Sequence, residues 1–401
     1  MATRGFANRL LGLFLIALSI VAVINAFQVV GAATYDLSVV AGIRVGNGPE
    51  GIAYDSNKGE IFVANSNSNT VSVISDSTNT VIANVTVGIG PTGIAYNSDK
   101  GEVWVTNNGE GTISVISDSN NTVVANVNVE NNPIGIAYDS EKREMFVANW
   151  GSNTVSVISS NNYDVVATVS VENRPVGVTY DSVKGEMFVA SSYYGTSSLG
   201  TVSAISDSTN KIVATIKVHT EPSFLAYDSE KGEMFVTNRG DGTVSVISDS
   251  SNSVITTLTL PPLAYGPWDA VYNPQKSEVY ISDPTAGGII AISDQSNTIV
   301  ANVTPGTIQS NGLSYDKPRG ITFDTAKDEI FVAMNQANKV YVISDASNKP
   351  SPSPTVPDSN KPSPSPTVPE FTSAFLVLVT ATITITCSAW FIVTKRQRKE
   401  V

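Results

Sequence analysis

The sequence is poor in the two side chains that most often carry metal and redox chemistry. Its 401 residues include one cysteine, Cys387, and one histidine, His219. A single cysteine excludes a disulfide framework. A single histidine excludes zinc sites built from several imidazoles and leaves His219 as the sole candidate for histidine-dependent catalysis.

Charged residues are also scarce, at 15% of the chain, and acidic residues outnumber basic ones by 36 to 24. The formal net charge of −12 argues against nucleic acid as a partner, because phosphate binding needs clustered lysine and arginine. Ser, Thr, Asn and Val are abundant instead, which is typical of β-rich proteins. The chain is too long for one ordinary domain unless a repeat architecture absorbs its length.

One unit, with a period of about 42 residues that lengthens in later copies, is used seven times between positions 38 and 346. Each copy contains four short runs rich in β-branched or aromatic residues, separated by Asn, Ser, Asp and Gly. Four strands per period predict an all-β fold, a seven-bladed β-propeller of four-stranded blades. The copies are marked by equivalent prolines at Pro49, Pro91, Pro133, Pro175, Pro222, Pro267 and Pro318.

The last copy carries only three strands, and the missing fourth strand is found at the other end of the repeats. The stretch 38–46 matches 80–88, which is the fourth strand of the first copy. We therefore expect the N-terminal strand to complete the last blade and leave no open sheet edge there.

The segments that flank the repeats predict export and membrane attachment. Residues 1–33 place Arg4 and Arg9 before an uncharged run, as in a secretory signal peptide that is either cleaved or kept as an anchor. Residues 347–370 use a Pro/Ser/Thr block twice, which predicts an extended stalk. Residues 371–393 are an uncharged run long enough to span a bilayer, and the basic residues 394–401 predict a cytoplasmic tail with the body outside.

The second strand of the unit carries a recurring motif, found as Phe62-Val-Ala-Asn65, Trp104-Val-Thr-Asn107, Phe146-Val-Ala-Asn149 and Phe235-Val-Thr-Asn238. This motif resembles the YVTN-type β-propeller repeat of archaeal cell-surface and surface-layer proteins.

Pro369, Glu370 and Phe371 stand directly before the second uncharged run. They resemble a PEF-type C-terminal sorting signal of archaeal surface proteins. This resemblance implies that a sortase-like enzyme cuts near the motif and attaches the chain to a lipid; otherwise the helix is retained.

A lysine and a glutamate recur before the second strand of every copy, as in Lys58 and Glu60. They could form a ring of ion pairs or ligands. We favour hairpin chemistry instead, in which Asp starts the turn and Gly takes a positive φ. The charges would then keep an exposed edge soluble.

Because the strands of a blade alternate in direction, the links between strands two and three share one face with the blade-to-blade links. Nearly every insertion lies on this face, which we call the insertion face. Aromatic side chains with an arginine, carried on loops of a rigid scaffold, favour recognition; the alternative is that they cover the ends of long loops. The candidate ligand- or partner-binding residues are Trp150, Tyr193, Tyr194, Tyr265, Trp268, Tyr315 and Arg319.

The sequence predicts glycan acceptors but no metal centre. Asn84, Asn120 and Asn302 each begin an Asn-x-Ser/Thr sequon and are candidate glycosylation sites in an exported protein. Acidic residues are scattered over the insertion face, but no spacing brings together the six to eight oxygens that calcium requires. We therefore expect no metal and no cofactor, with calcium left unsupported.

Two classes of function fit these patterns. The first is a non-enzymatic exported cell-surface protein that displays its propeller as a platform for envelope packing, adhesion, or binding to a protein or glycan of the cell envelope. The alternative is a propeller enzyme, of lyase or calcium-dependent hydrolase type, acting at the axial mouth with His219 as its candidate. The export signals, the stalk and the lack of a recognisable catalytic constellation favour the first.

Overall fold

Every regular element in the described part of the chain is a β-strand. In that part, no helix is long and apolar enough to cross a membrane. The flanking segments, the sorting motif, Tyr194, Tyr265 and Tyr315 lie outside the described residues. The computed structural model describes residues 37–193, 195, 198–261, 266–303 and 316–345.

The strands fall into four classes by their place in a blade. The innermost strands are β2 (Pro49–Asp55), β6 (Pro91–Asn97), β10 (Pro133–Asp139), β14 (Pro175–Asp181), β18 (Pro222–Asp228), β22 (Ala270–Asn273) and β26 (Pro318–Asp324). The second strands are β3 (Glu60–Asn65), β7 (Glu102–Asn107), β11 (Glu144–Asn149), β15 (Glu186–Ser191), β19 (Glu233–Asn238), β23 (Glu278–Asp283) and β27 (Glu329–Met334). The third strands are β4 (Thr70–Ser75), β8 (Thr112–Ser117), β12 (Thr154–Ser159), β16 (Leu199–Ser206), β20 (Thr243–Ser248), β24 (Gly288–Ser293) and β28 (Lys339–Asp345). The outermost strands are β5 (Thr80–Thr86), β9 (Thr122–Asn128), β13 (Val165–Ser170), β17 (Lys211–Thr220), β21 (Ser253–Thr259), β25 (Thr298–Val303) and β1 (Leu37–Arg44).

These strands form seven four-stranded antiparallel sheets, each built from consecutive strands except the last. The innermost strands contact one another in a closed circle, from β2 through β6 and onward to β26, which contacts β2 again. The prediction of a seven-bladed β-propeller is therefore confirmed.

The ring closes by pairing the two ends of the repeat region, as the sequence predicts. β1 pairs antiparallel with β28 in the order β1-β28-β27-β26, with Leu37 opposite Asp345 and Arg44 opposite Lys339. Ile43 of β1 is buried in a cluster with Phe331 of the last blade and Ile52 of the first. Closure therefore buries apolar surface as well as forming hydrogen bonds.

The core lies between blades rather than within them. Among the described residues, seven apolar clusters each join side chains of two adjacent blades; one packs Phe62 and Val73 of the first blade against Val103 and Val105 of the second. The aromatic residue of each second strand is fully buried in these contacts: Phe62, Trp104, Phe146, Phe188, Phe235, Tyr280 and Phe331.

Glycine lets the innermost strands approach one another closely. At Gly51, a Cβ would lie 2.2 Å from the Thr92 carbonyl oxygen of the next blade, and at Gly93 it would lie 2.0 Å from that of Ile134. Real side chains do not tolerate such distances, so five of the seven blades keep glycine here: Gly51, Gly93, Gly135, Gly177 and Gly320. Phe224 and Asp269 occupy this position in the other two blades.

The hairpin between strands one and two has the predicted chemistry. Asp55 Oδ1 accepts hydrogen bonds from the N–H groups of Asn57 and Lys58 at 2.9 and 3.2 Å. Gly59 follows at a φ of 67°. The residues that replace this glycine in three blades, Arg143, Ser277 and Asp328, also have positive φ values.

The recurring lysines do more than keep an edge soluble, so that part of our interpretation was wrong. Lys100 Nζ donates a 2.7 Å hydrogen bond to the carbonyl oxygen of Ser160 in the next blade. Three of the lysines, Lys58, Lys276 and Lys327, form ion pairs with carboxylates of the next blade. Hydrogen bonds from lysine to a carbonyl oxygen join turns of adjacent blades at five junctions: Lys58–Asp118, Lys100–Ser160, Lys184–Asp249, Lys231–Asp294 and Lys327–Asp76.

Every outermost strand contains a β-bulge at the same position. In the first blade, Val73 pairs with Ala83 and Ile74 with Val81, which leaves Ile82 as the extra residue. A bulge interrupts the regular ladder and bends the strand edge. The extra residue is always Val or Ile: Val40, Ile82, Val124, Val166, Val213, Ile255 and Val300.

We predict that Gly93→Ala lowers the free energy of unfolding by about 1–3 kcal/mol, because the new Cβ would overlap the Ile134 carbonyl and push two blades apart. Chemical denaturation followed by circular dichroism measures the change. Val183→Ala is the control, since Val183 is 69% exposed and its truncation should stay within about 0.5 kcal/mol. Equal stability of the two variants would contradict the close approach at Gly93.

Candidate functional site

The residue that follows each repeated proline lies where the innermost strand enters from the insertion face. Five of these residues line a cavity at the propeller axis and the other two, Val176 and Ser223, line a side cavity next to it; we call all seven the rim residues. Unlike the prolines beside them, they are all different, so the repeat holds their backbone while their side chains vary. The rim residues are Glu50, Thr92, Ile134, Val176, Ser223, Trp268 and Arg319.

An axial cavity of about 410 Å³ opens at the rim. This volume lies within the range of small-molecule sites. Asn108 and the side chains of Phe224 and Asp269 also line it. Deeper along the innermost strands it is lined by one aliphatic residue from each of six blades, which we call the throat residues: Ile52, Ile94, Ile136, Val178, Leu225 and Ile321.

A side cavity of about 250 Å³ lies next to the axial cavity and shares Ile134 and Trp268 with it. Trp150, Arg239 and Glu221 also line this side cavity. Trp268 thus borders both cavities.

Arginine side chains stack on both tryptophans. The guanidinium carbon of Arg319 lies 3.9 Å from the ring centroid of Trp268, and that of Arg239 lies 5.2 Å from the same centroid. Arg174 lies 4.9 Å from the ring centroid of Trp150. Cation–π contacts of this kind hold a guanidinium plane in a fixed orientation. Three of the five arginines between positions 37 and 345 therefore gather at this site.

Hydroxyl groups from the preceding blade fix the rim backbone. Thr237 Oγ1 donates to the Trp268 carbonyl oxygen at 2.9 Å, and Ser282 Oγ donates to that of Arg319 at 2.5 Å. Thr106 Oγ1 does the same for Ile134 at 2.8 Å. The hydroxyl in the second-strand motif is thus a support for the rim of the next blade.

Asp269 stands where most blades have glycine, and its carboxylate joins two blades. Its Oδ1 accepts the N–H of Ala270 at 2.8 Å, and its Oδ2 accepts the N–H of Ile321 in the last blade at 3.2 Å. Burial raises the pKa of Asp269 to about 7, although both backbone hydrogen bonds act to lower it. Near neutral pH this carboxyl group is therefore only partly charged.

Glu50 is an acidic rim residue that lies next to Arg319. Its Oε1 accepts a 2.9 Å hydrogen bond from the Asn335 amide, and its Oε2 lies 3.9 Å from Arg319 Nε. Burial raises the pKa of Glu50, and the charge of Arg319 partly offsets this effect. Glu50 and Asp269 therefore become protonated at a higher pH than exposed carboxylates would.

His219 lies near the end of β17, the outermost strand of the fourth blade. Its Nδ1 is 2.8 Å from Oδ2 of Asp241, and Thr243 Oγ1 donates to the other oxygen of this carboxylate at 2.7 Å. An aspartate in this position orients an imidazole. The pair is partly exposed, and His219 is not among the residues that line either cavity.

The structure brings together three of the seven candidate residues, Trp150, Trp268 and Arg319, at the two cavities. Tyr193 lies on the insertion-face loop of the fourth blade, where its hydroxyl donates to Glu172 Oε2 at 3.0 Å. It does not line either cavity. Tyr194, Tyr265 and Tyr315 lie outside the described residues.

The sequence analysis missed Arg174 and Arg239 and did not distinguish Glu50, Asp269 and Glu221 from the other acids of the insertion face. The sequence does contain a signal that could have located the rim. Within the innermost strand, the copies differ most at the position after each repeated proline. Arg174 comes immediately before such a proline, whereas Arg239 follows a second strand.

The three candidate glycan acceptors are all exposed. Asn84 lies in β5, Asn302 in β25, and Asn120 in the turn between β8 and β9. Asn84 Oδ1 accepts a hydrogen bond from Ser72 Oγ, which leaves its amide nitrogen as the atom available for a glycan. Glycosylation at these sites stays a prediction. In the part of the chain described, no cluster of His, Cys, Asp and Glu is arranged to hold a metal ion.

Comparison with known proteins places the chain among propeller repeat proteins. An NHL repeat model matches residues 47–74, which span β2, β3 and most of β4. Hydrazine synthase of Kuenenia stuttgartiensis is a similar solved structure, with a TM-score of 0.66 and 18% identity over 75% of this chain and 96% of that chain. This likeness shows the fold alone, and with 1707 matching chains of solved structures the fold selects no single function. No curated protein matches.

We predict that Asp269 makes stability depend on pH. Its pKa is raised on folding to about 7, so the stability it contributes is fully present below about pH 4 and is lost as the pH rises through about 7. The difference in unfolding free energy between wild type and Asp269→Asn should therefore shrink from about pH 5 to about pH 8. Urea unfolding at each pH measures it. A difference that stays constant across this range would contradict the burial of a titrating carboxyl group.

Proposed function

We propose that this chain is a non-enzymatic exported cell-surface protein of archaeal surface-layer type, whose propeller binds a ligand or partner at the mouth on the insertion face. The observation that carries the proposal is the gathering of Trp150, Trp268, Arg239 and Arg319 around two adjoining cavities. Aromatic and arginine side chains are the residues that dominate binding energy in recognition sites.

The contrast between residues that recur in every repeat and rim residues that vary supports binding at the entrance of the axial cavity. Residues that hold the ring, such as Pro49, Gly51 and Lys58, recur from blade to blade, whereas the rim residues do not. A rim that served packing alone would have no reason to differ between equivalent blades. Because Trp268 and Arg319 are positioned by backbone hydrogen bonds, they are preorganised for a ligand.

Surface display is supported by the sequence outside the described strands. The basic residues and apolar run of 1–33, the Pro-rich 347–370, the uncharged 371–393 and the basic 394–401 follow the order of an exported, anchored protein. Pro369, Glu370 and Phe371 support processing by a sortase-like enzyme, and a protein or glycan of the envelope is the expected partner. Exposed Asn84, Asn120 and Asn302 fit a glycoprotein.

The alternative is an enzyme acting at the mouth. The His219–Asp241 pair favours it to the extent that an oriented imidazole can act as a general base. The pair lies apart from both cavity linings, and the likeness to hydrazine synthase, an enzyme by its name, is one of fold. We therefore keep the binding function as the conclusion.

We predict that protease added to intact cells releases the propeller body into the medium. Cleavage should fall in the stalk, residues 347–370, because extended Pro-rich backbone is accessible while the closed ring is not. Mass spectrometry of the released fragment identifies its ends, and a cytoplasmic enzyme retained in the cells is the control. Release only after cell lysis would refute display on the surface.

We also predict that Trp268→Ala weakens binding of the released body to purified cell envelopes by at least about tenfold, since one aromatic anchor is commonly worth 2 kcal/mol or more. Co-sedimentation over a range of envelope concentrations measures the affinity. His219→Ala is the matched control on the same face and should bind like wild type. If His219→Ala lost binding and Trp268→Ala kept it, the mouth would not be the site.

A further inference from the structure

Apolar side chains form most of the wall of the side cavity. The indole rings of Trp150 and Trp268 line it together with the aliphatic side chains of Ile134, Val176 and Pro222. Ile134 and both tryptophans are partly exposed, so the cavity is open to solvent. An apolar group that enters a space walled in this way leaves water for apolar contacts, and this transfer favours binding.

The polar side chains that line the side cavity offer a ligand few hydrogen bonds. Glu221 Oε1 already accepts a backbone N–H at 2.9 Å, and the Arg239 guanidinium lies over the ring of Trp268. The other two polar residues of the wall, Ser192 and Ser223, are only 3% and 4% exposed. A saccharide would lose hydrogen bonds to water here without replacing most of them, whereas an apolar group has none to lose.

The size of the side cavity suits one side chain of a larger partner. Its volume of about 250 Å³ is below the roughly 300–1,000 Å³ that is usual for sites of whole small molecules. An aromatic side chain fits these walls best, because it buries a large apolar area, stacks on indole rings and meets a guanidinium through its face. Contacts through the faces of a guanidinium do not compete with the hydrogen bonds that it makes in its own plane.

The links that enter the blades around the side cavity carry acidic residues. Glu130, Glu172 and Glu221 precede the repeated prolines of blades three, four and five, whose rim residues line this cavity. Glu130 and Glu172 are exposed. The basic side chains of this region, Arg174 and Arg239, both stack on tryptophan rings. The exposed charge beside the cavity is therefore mainly negative, which complements basic residues on a partner.

We infer that the side cavity binds an aromatic side chain of a protein partner, in a segment with basic residues on either side of it. This inference rests on the proposed function, which puts the partner at the mouth, and it selects a protein rather than a glycan as that partner. Trp150 and Trp268 are then two walls of one pocket for the aromatic ring. Such an arrangement follows the general pattern of interfaces, in which buried aromatic anchors of one protein meet aromatic and arginine side chains of the other.

Isothermal titration calorimetry with short peptides tests the inference on the full chain, reconstituted in lipid nanodiscs. The probes are acetylated and amidated peptides of sequence GKWKG, GKSKG and GEWEG. We expect GKWKG to bind with one-to-one stoichiometry and at least about tenfold more tightly than GKSKG, which lacks the aromatic ring. GEWEG should bind about threefold more weakly than GKWKG, because its glutamates meet the acidic links. The neutral disaccharide cellobiose should not bind.

Val176→Phe places a ring of the protein itself in the side cavity and should lower the affinity for GKWKG at least about tenfold. Val183→Phe is the matched control, because Val183 belongs to the same blade but is 69% exposed in the turn between β14 and β15. Trp150→Leu keeps an apolar side chain, removes an indole wall and should lower the affinity about fivefold. Thermal unfolding verifies that each variant is folded, and Trp150→Leu decides the matter if Val176→Phe does not fold.

Several results would overturn the inference. Equal affinities for GKSKG and GKWKG would mean that charge alone attracts the peptide, and no binding of GKWKG would also refute the inference. Equal affinities of Val176→Phe and Val183→Phe, or a loss confined to Val178→Phe, which fills the axial cavity instead, would exclude the side cavity. Binding of cellobiose that Val176→Phe abolishes would make this a glycan site. In each case the envelope experiment with Trp268→Ala still decides the proposed function separately.

Discussion

Each blade buries its hydrophobic faces only against two neighbours, and this requirement organises the whole molecule. The fully buried aromatic of every second strand packs across a junction, as Phe62 does against Val103. No blade can satisfy this at the end of a row, so the ring must close, and the pairing of β1 with β28 supplies the strand that closure needs. The same closure brings seven innermost strands together at the axis, where glycine makes room for the neighbouring carbonyl groups. The rim and its cavity are therefore products of the packing that stabilises the fold.

Because the ring is held by recurring residues, the rim is free to differ between blades. The repeated proline before each rim position, and the glycine after it in five of the seven blades, fix the backbone, and the lysine ties join adjacent turns on the opposite face. Asp269 is the exception that serves both purposes, since it replaces a glycine, bonds to the last blade through Ile321 N–H and lines the cavity. A propeller of this kind can change what it binds by substitution at seven equivalent positions, with little consequence for its stability.

The fold could be predicted from the sequence because its signals are local and repeated. Short segments of sequence are enough to recognise the repeat period, the strand runs, the hairpin turns and the displaced fourth strand. Arg143, Ser277 and Asp328 have the positive φ expected of the glycine that they replace. A ring of ion pairs was considered for the lysines and set aside, because four of the five ties join residues 60 to 65 positions apart in different blades and no local pattern specifies that distance. For the site, strand alternation was enough to place Trp150, Trp268 and Arg319 on one face. It could not show which side chains turn toward the axis, because that depends on tertiary packing: the Tyr193 hydroxyl meets Glu172 instead, and Arg174 and Arg239 stack on the tryptophans.

The seven bulges of the outermost strands affect how copies of this protein can associate side by side. An exposed strand edge with a regular ladder invites another chain to add a strand, which is the route by which β-proteins grow into fibres. Here all seven edges carry an extra Val or Ile that breaks the ladder, including the edge formed by β1. Copies crowded side by side would meet through side chains rather than through shared sheets.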